Sequence, residues 1–170
     1  MAVVDRNGPI ADKWTRLADD APVPKAASVI VSFARLKNEH NSLFSTAAGV
    51  GVEIAGDVKL EELEPFLPRL GVIVVRFATM RDGRVFSIGR LLREQYRYGA
   101  DMRAVGDFIP DQALFLLRCG FTSFEVAESF PLASFKQSVA AYSTWYQRAT
   151  DRATTVLDLR RENAPNESKS

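Results

Sequence analysis

Five short apolar runs, each followed by a helix-like segment, most constrain what this chain can fold into. They are "SVIVSF" (28–33), "VGVEI" (50–54), "VIVVRF" (72–77), "MRAVG" (102–106) and "SFEV" (123–126). Several are β-branched and nearly continuous, the pattern of strands buried on both faces. Strands alternating with helices over short connections specify a mainly parallel sheet covered by helices, with right-handed crossovers. The expected fold is therefore α/β, with about five strands and flanking helices. Two closures stay open: an open Rossmann-like sheet, or a partial β/α barrel, five strands being too few for a full barrel.

The helical segments carry their own punctuation. "KLEELEPFLPRL" follows Asp57, a possible cap, and Pro65 and Pro68 should end or bend it early. "PDQALFLLRCG" has Pro110 in its first turn and Gly120 just past its end. A long C-terminal helix is expected from Leu132 to about Leu159, with Phe135, Val139, Tyr142 and Tyr146 on one stripe. The stretch after the first strand, containing the lone His40, reads as a short helix and loop. Residues 1–24, with Gly8, Pro9, Pro22 and Pro24, read as an N-terminal arm, 25–160 as a single domain, and 161–170 as a disordered tail.

Composition excludes several function classes. The 170 residues carry a formal net charge of +1, so there is no basic field for nucleic acid. No apolar run approaches the ~20 residues of a membrane span, and the first residues lack the apolar core of a secretory signal. A cytoplasmic location is expected. With one cysteine, Cys119, and one histidine, a zinc site, an iron–sulfur cluster and a Ser–His triad lack their residues. "GVGVEIAG" sits inside a strand pattern and opens no helix, so it is no dinucleotide fingerprint, and no P-loop occurs. No cofactor is identified.

Arginine is unevenly placed. Of sixteen arginines, eight (76, 81, 84, 90, 93, 97, 103 and 118) fall between residues 76 and 118, a span with no lysine. Arginine offers a planar fork that pairs bidentately with oxyanions. Parallel sheets bind ligands beyond their carboxyl strand ends, and that rule selects Arg76 with Gly83, Arg84 and Ser87 as an anion site. Gly83 is read as a turn glycine permitting positive φ at a helix start able to receive an anion. Asp107 and Glu125 are the acid/base candidates. Arg90, Arg93 and Arg97 share an arc of about 60° on the following helix, and with Arg118 form a candidate docking face for an acidic partner.

The run from Phe77 to Val126, "FATMRDGRVFSIGRLLREQYRYGADMRAVGDFIPDQALFLLRCGFTSFEV", resembles the bacterial domain of unknown function 934 family. The likeness rests on the Asp82-Gly83-Arg84, Arg90-Leu91-Leu92-Arg93, Arg103-Ala104-Val105-Gly106-Asp107, Asp111-Gln112 and Arg118-Cys119-Gly120-Phe121 elements. Valine stands at 85 where the family usually has glycine, and glycine at 89 where alanine is usual. The resemblance implies a part in assimilatory sulfite reduction, under the label of a probable oxidoreductase. The expected role is an accessory protein docking on sulfite reductase or on an acidic electron carrier. The alternatives are a small enzyme or sensor that binds an oxyanion or phosphometabolite, and a cofactor-dependent oxidoreductase.

Overall fold

The computed structural model describes residues 1–77, 83–106, 108–141, 149–150 and 154–162. All five expected strands are present: β4 (Ser28–Ser32), β5 (Gly49–Ala55), β6 (Leu70–Arg76), β7 (Asp101–Val105) and β8 (Ser123–Val126). The sheet is larger than expected. Three further strands, β1 (Ala2–Asp5), β2 (Gly8–Ile10) and β3 (Trp14–Arg16), come from the segment read as an arm. They have only three or four residues each and little apolar periodicity. One signal was legible: Asp5-Arg6-Asn7-Gly8 is a hairpin turn, and the Asp5 carboxylate accepts the Asn7 and Gly8 amides.

The strand order is β2-β1-β8-β7-β6-β5-β4-β3. From β3 to β8 every pairing is parallel and joins strands consecutive in sequence; β1 adds antiparallel to β8, and β2 to β1. Right-handed crossovers that always step the same way put every helix on one face. The edge strands β2 and β3 are joined by residues 11–13 alone. A flat eight-stranded sheet would hold its edges about 34 Å apart, whereas four Cα steps reach at most about 14 Å. The sheet therefore curls around its bare face instead of lying flat.

The helices α1 (Phe33–Thr46), α2 (Leu60–Leu63), α3 (Arg84–Glu94), α4 (Pro110–Arg118) and α5 (Leu132–Ala141) follow β4 to β8 in turn. Ser32 caps α1 by accepting the Arg35 amide. The α1 helix takes in His40, which packs half-buried against Phe66 rather than lying in a loop. Lys59, not Asp57, precedes α2, which passes after one turn into a 3-10 helix over Glu64–Arg69 that includes Pro65 and Pro68. The long C-terminal helix is not seen. Helix α5 has ten residues, Ala149 and Thr150 are not helical, and a separate α6 spans Val156–Glu162. Tyr142, Tyr146 and residues 163–170 lie outside the described residues, while Arg161 belongs to α6 rather than to a tail. No helix among the described residues is long and apolar enough to cross a membrane.

Alternation along the strands separates two interiors. Val31, Val52, Ile73, Val75, Met102 and Phe124 face the helices and pack with Leu36, Leu63, Leu92, Leu116 and Phe135. Ile30, Val72, Val74 and Val105 face the concave side, with Trp14 against them. The Trp14 indole fits there because Gly49 and Gly71 lie beneath it: an added Cβ would stand 3.2 and 2.8 Å from its ring.

Helix α3 approaches the end of α4 closely through Gly89. A Cβ at that position would lie 2.7 Å from the Phe121 ring and 2.9 Å from the Cys119 carbonyl oxygen. Alanine gains about 1 kcal/mol of helix propensity over glycine, but overpacking against a fixed carbonyl costs about 1–3 kcal/mol. Gly89→Ala is expected to lower stability by up to about 2 kcal/mol in urea unfolding; a stabilised variant would show that α3 can move away.

Candidate functional site

The concave face carries charge where a barrel interior is usually filled by branched apolar side chains. Glu53 on β5 and Arg16 on β3 meet at 2.8 Å, and Glu53 also accepts from Nε of Arg76 on β6 at 2.5 Å. The two terminal nitrogens of Arg16 donate to the two oxygens of Glu125 on β8, at 2.7 and 2.6 Å. This fork-to-fork pair spans β3 to β8, five strand spacings that would measure about 24 Å in a flat sheet. Arg76, Glu53, Arg16 and Glu125 thus form one chain of charge across the mouth formed by the carboxyl strand ends.

Deeper in, Arg103 on β7 is 2% exposed. Its terminal nitrogens donate to Asp12 at 3.0 and 3.1 Å, and Nε donates to Ser123 Oγ at 3.3 Å. Asp101 and Glu125 stand 3.7 and 4.0 Å from it. Asp101 in turn accepts from Thr122 and Ser123. No buried side-chain nitrogen or oxygen among the described residues lacks a hydrogen bond. Three guanidiniums thus face the four carboxylates of Asp12, Glu53, Asp101 and Glu125.

Ionisation follows from these contacts. Burial acts to raise the Glu53 carboxyl, but the hydrogen bonds from Arg76 and Arg16, with their charges, hold it below the ordinary carboxylate range. The Glu125 hydrogen bond, against the opposing effect of burial, raises the Arg16 guanidinium. Both groups stay charged at neutral pH.

A cavity of about 220 Å³ opens at this mouth, between Arg16, Leu17, Asp19, Ile30, Ser32 and Glu53. Ser32 Oγ donates to Asp19 at 2.7 Å on its rim. Arg76 borders it through Glu53, with its side chain 47% exposed. Among the described residues its Nε is the atom engaged in a hydrogen bond.

The anion set read from the sequence is divided. Arg76 lies at the concave mouth, whereas Arg84 and Ser87 line a groove of about 380 Å³ between α2 and α3 on the helical layer. Gly83 precedes α3 with φ −66°, so no glycine-only conformation is needed there. Glu125 is buried and committed to Arg16, and Asp107 lies outside the described residues.

The docking stripe also changes. Arg90 is exposed beside Glu94 at 3.4 Å. Arg93 does not face outward: it donates to the carbonyls of Gly120, Tyr98 and Ala100, and burial lowers its pKa. Its long side chain reaches the turn past α4 instead of water. Arg97 is exposed but lies beyond the end of α3, at φ +53°, so it does not continue the helical arc. Arg118 is half-buried near the end of α4, where its carbonyl accepts from Thr150.

Asp12, Arg16, Glu53, Asp101 and Arg103 were not among the sequence candidates. Glu53 and Arg103 did carry a signal: a charge inside a strand buried on both faces requires a partner. Which partner it finds depends on the curl. Among the described residues no group of three or more His, Cys, Asp or Glu is placed to hold a metal.

The fold and mouth define a class: a curled, mostly parallel α/β sheet with a cavity at its carboxyl strand ends and an ionic interior. Residues 51–157 match the model of a family described as bacterial protein of unknown function (DUF934), and the chain belongs to that family. Glu53, Arg76, Arg103 and Glu125 lie within the match; Asp12 and Arg16 precede it. No curated protein and no solved structure matches the chain.

The lowered Glu53 pKa sets a pH dependence. The unfolded chain binds a proton at Glu53 more readily than the folded one, so stability rises with pH through the acid range. The contribution is complete above the unfolded value of about 4.3 and is lost as pH falls through the lower folded value. Glu53→Gln is expected to flatten the stability profile below about pH 5 in urea titrations; an unchanged slope would mean that Glu53 is not held by its two arginines.

Proposed function

We propose that the protein binds a small oxyanion, or a metabolite bearing one, at the barrel mouth, and that Arg76 is the residue that holds it. The supporting observation is the Arg76 fork, steadied at Nε by Glu53 and otherwise unengaged among the described residues, beside an open cavity at the carboxyl strand ends. A fork pre-set by one carboxylate loses little freedom when it receives a second acceptor. Arg16 and Arg76 are balanced by Glu53 and Glu125, so recognition rests on directed hydrogen bonds rather than excess positive charge. The resemblance to a family associated with sulfite reduction makes sulfite and sulfate the first ligands to try.

Thermal denaturation with millimolar sulfite, sulfate or phosphate tests this reading. At least one should raise Tm, by an amount that grows with concentration, and Arg76→Gln should abolish the shift while folding normally. No shift with any of the three would end the proposal.

A second reading is an accessory protein that docks on sulfite reductase or its electron donor. Exposed Arg90 and Arg97, with Leu91 42% exposed between them in sequence, favour it. Arg93 has no part in this face. A salt-sensitive complex with sulfite reductase in native mass spectrometry, lost when Arg90 and Arg97 are both changed to Glu, is the expected result. A complex that survives the double change would place docking elsewhere.

A further inference from the structure

The groove between α2 and α3 is larger than the mouth cavity and chemically different from it. Its volume of about 380 Å³ falls within the range of small-molecule sites. One wall is the segment from Gly56 to Glu61, the other is α3 and the turn after it. Apolar surface lines its middle, from Val58, Leu60, Ile88 and Leu91. Leu91 is 42% exposed although it belongs to a helix whose neighbours Ile88 and Leu92 are buried. Solvated apolar surface of this kind, in a concave place, gains free energy when covered.

The ends of the groove differ in charge. Lys59 and Arg84, with the Ser87 hydroxyl, stand where both walls begin, just past the carboxyl ends of β5 and β6. Tyr96 lines the groove past the end of α3, where burial and the negative charge of Glu61 and Glu64 raise its pKa, and Glu61 is itself a lining residue. From Arg84 to Gln95 the groove runs along about 16 Å of helix.

We infer that this groove binds an elongated organic anion, its apolar acyl or aryl body on Leu60, Ile88 and Leu91 and its oxyanion head at Lys59 and Arg84. The occupant differs from the ligand of the mouth, where the surroundings are ionic and the cavity is smaller. The two sites lie on opposite faces of the sheet and do not share a residue.

Anilinonaphthalene sulfonate has the required shape, an aryl body with one anionic head, and reports binding by fluorescence. Titrated into the full chain, it should bind saturably at one site. Leu91→Glu puts a charge on an exposed position and should raise Kd about tenfold or more; Arg84→Gln should raise it several-fold, and Arg76→Gln should leave it unchanged. Circular dichroism and Tm close to the parent's establish that each variant is folded. Decanoate should displace the probe and decylamine should not. Binding indifferent to Leu91→Glu, or equal displacement by decylamine, would overturn the assignment. Because Arg76 is outside the groove, loss of the mouth reading and loss of this one are separable.

Discussion

The bidentate pair between Arg16 and Glu125 joins a strand near the start of the chain to the last strand of the parallel sheet. Its two short hydrogen bonds require β3 and β8 to face each other across the concave side. Asp12 and Arg103 repeat the connection one layer deeper. Both links come from residues 12–16, the short run that carries the chain from one sheet edge to the other. The curl, the mouth and the burial of Arg103 all depend on that run lying across the barrel.

An ionic interior has a cost, since each charge taken from water loses solvation worth several kcal/mol. Here every charge is answered. Glu53 bridges two arginines, Glu125 receives a fork, and Asp101 is hydrogen-bonded by Thr122 and Ser123. Removing a buried member such as Glu125 leaves its partner uncompensated, typically a loss of about 3–5 kcal/mol. Specific geometry is what such a network provides in return: a carboxylate–guanidinium fork tolerates little slippage of strand against strand. Arg76, at the open end, is the most exposed of the three arginines, with its side chain 47% accessible.

The helical layer follows different physics. Its core contacts are apolar and close, and two of its arginines are spent on backbone carbonyls: Arg35 on those of Ala18 and Ala21, and Arg93 on those that tie the end of α3 to the turn at Gly120. Arg84 and the apolar side chains of Ile88 and Leu91 on α3 border the groove beside the one-turn helix α2. Helix α3 thus places three arginines in three different surroundings within ten residues: Arg84 at the groove, Arg90 beside Glu94 and Arg93 on the carbonyls past α4.

Much of this architecture was legible in one dimension. Continuous β-branched runs cannot be solvated on either face, so the five central strands, their parallel order and the helices between them were determined by sequence. Pro110 and Gly120 bounded α4 correctly because each restricts or frees a backbone angle locally. Edge strands of three residues have no such signature; β2 and β3 exist because a neighbour supplies their hydrogen bonds. The site was less legible still. Arg76 could be placed at a strand end by counting, but its partner Glu53, and the pairing of Arg16 with Glu125 across 109 residues, depend on how far the sheet curls. Curl is set by closure through residues 11–13, a property of the whole chain, so the tertiary structure alone decided which charges meet.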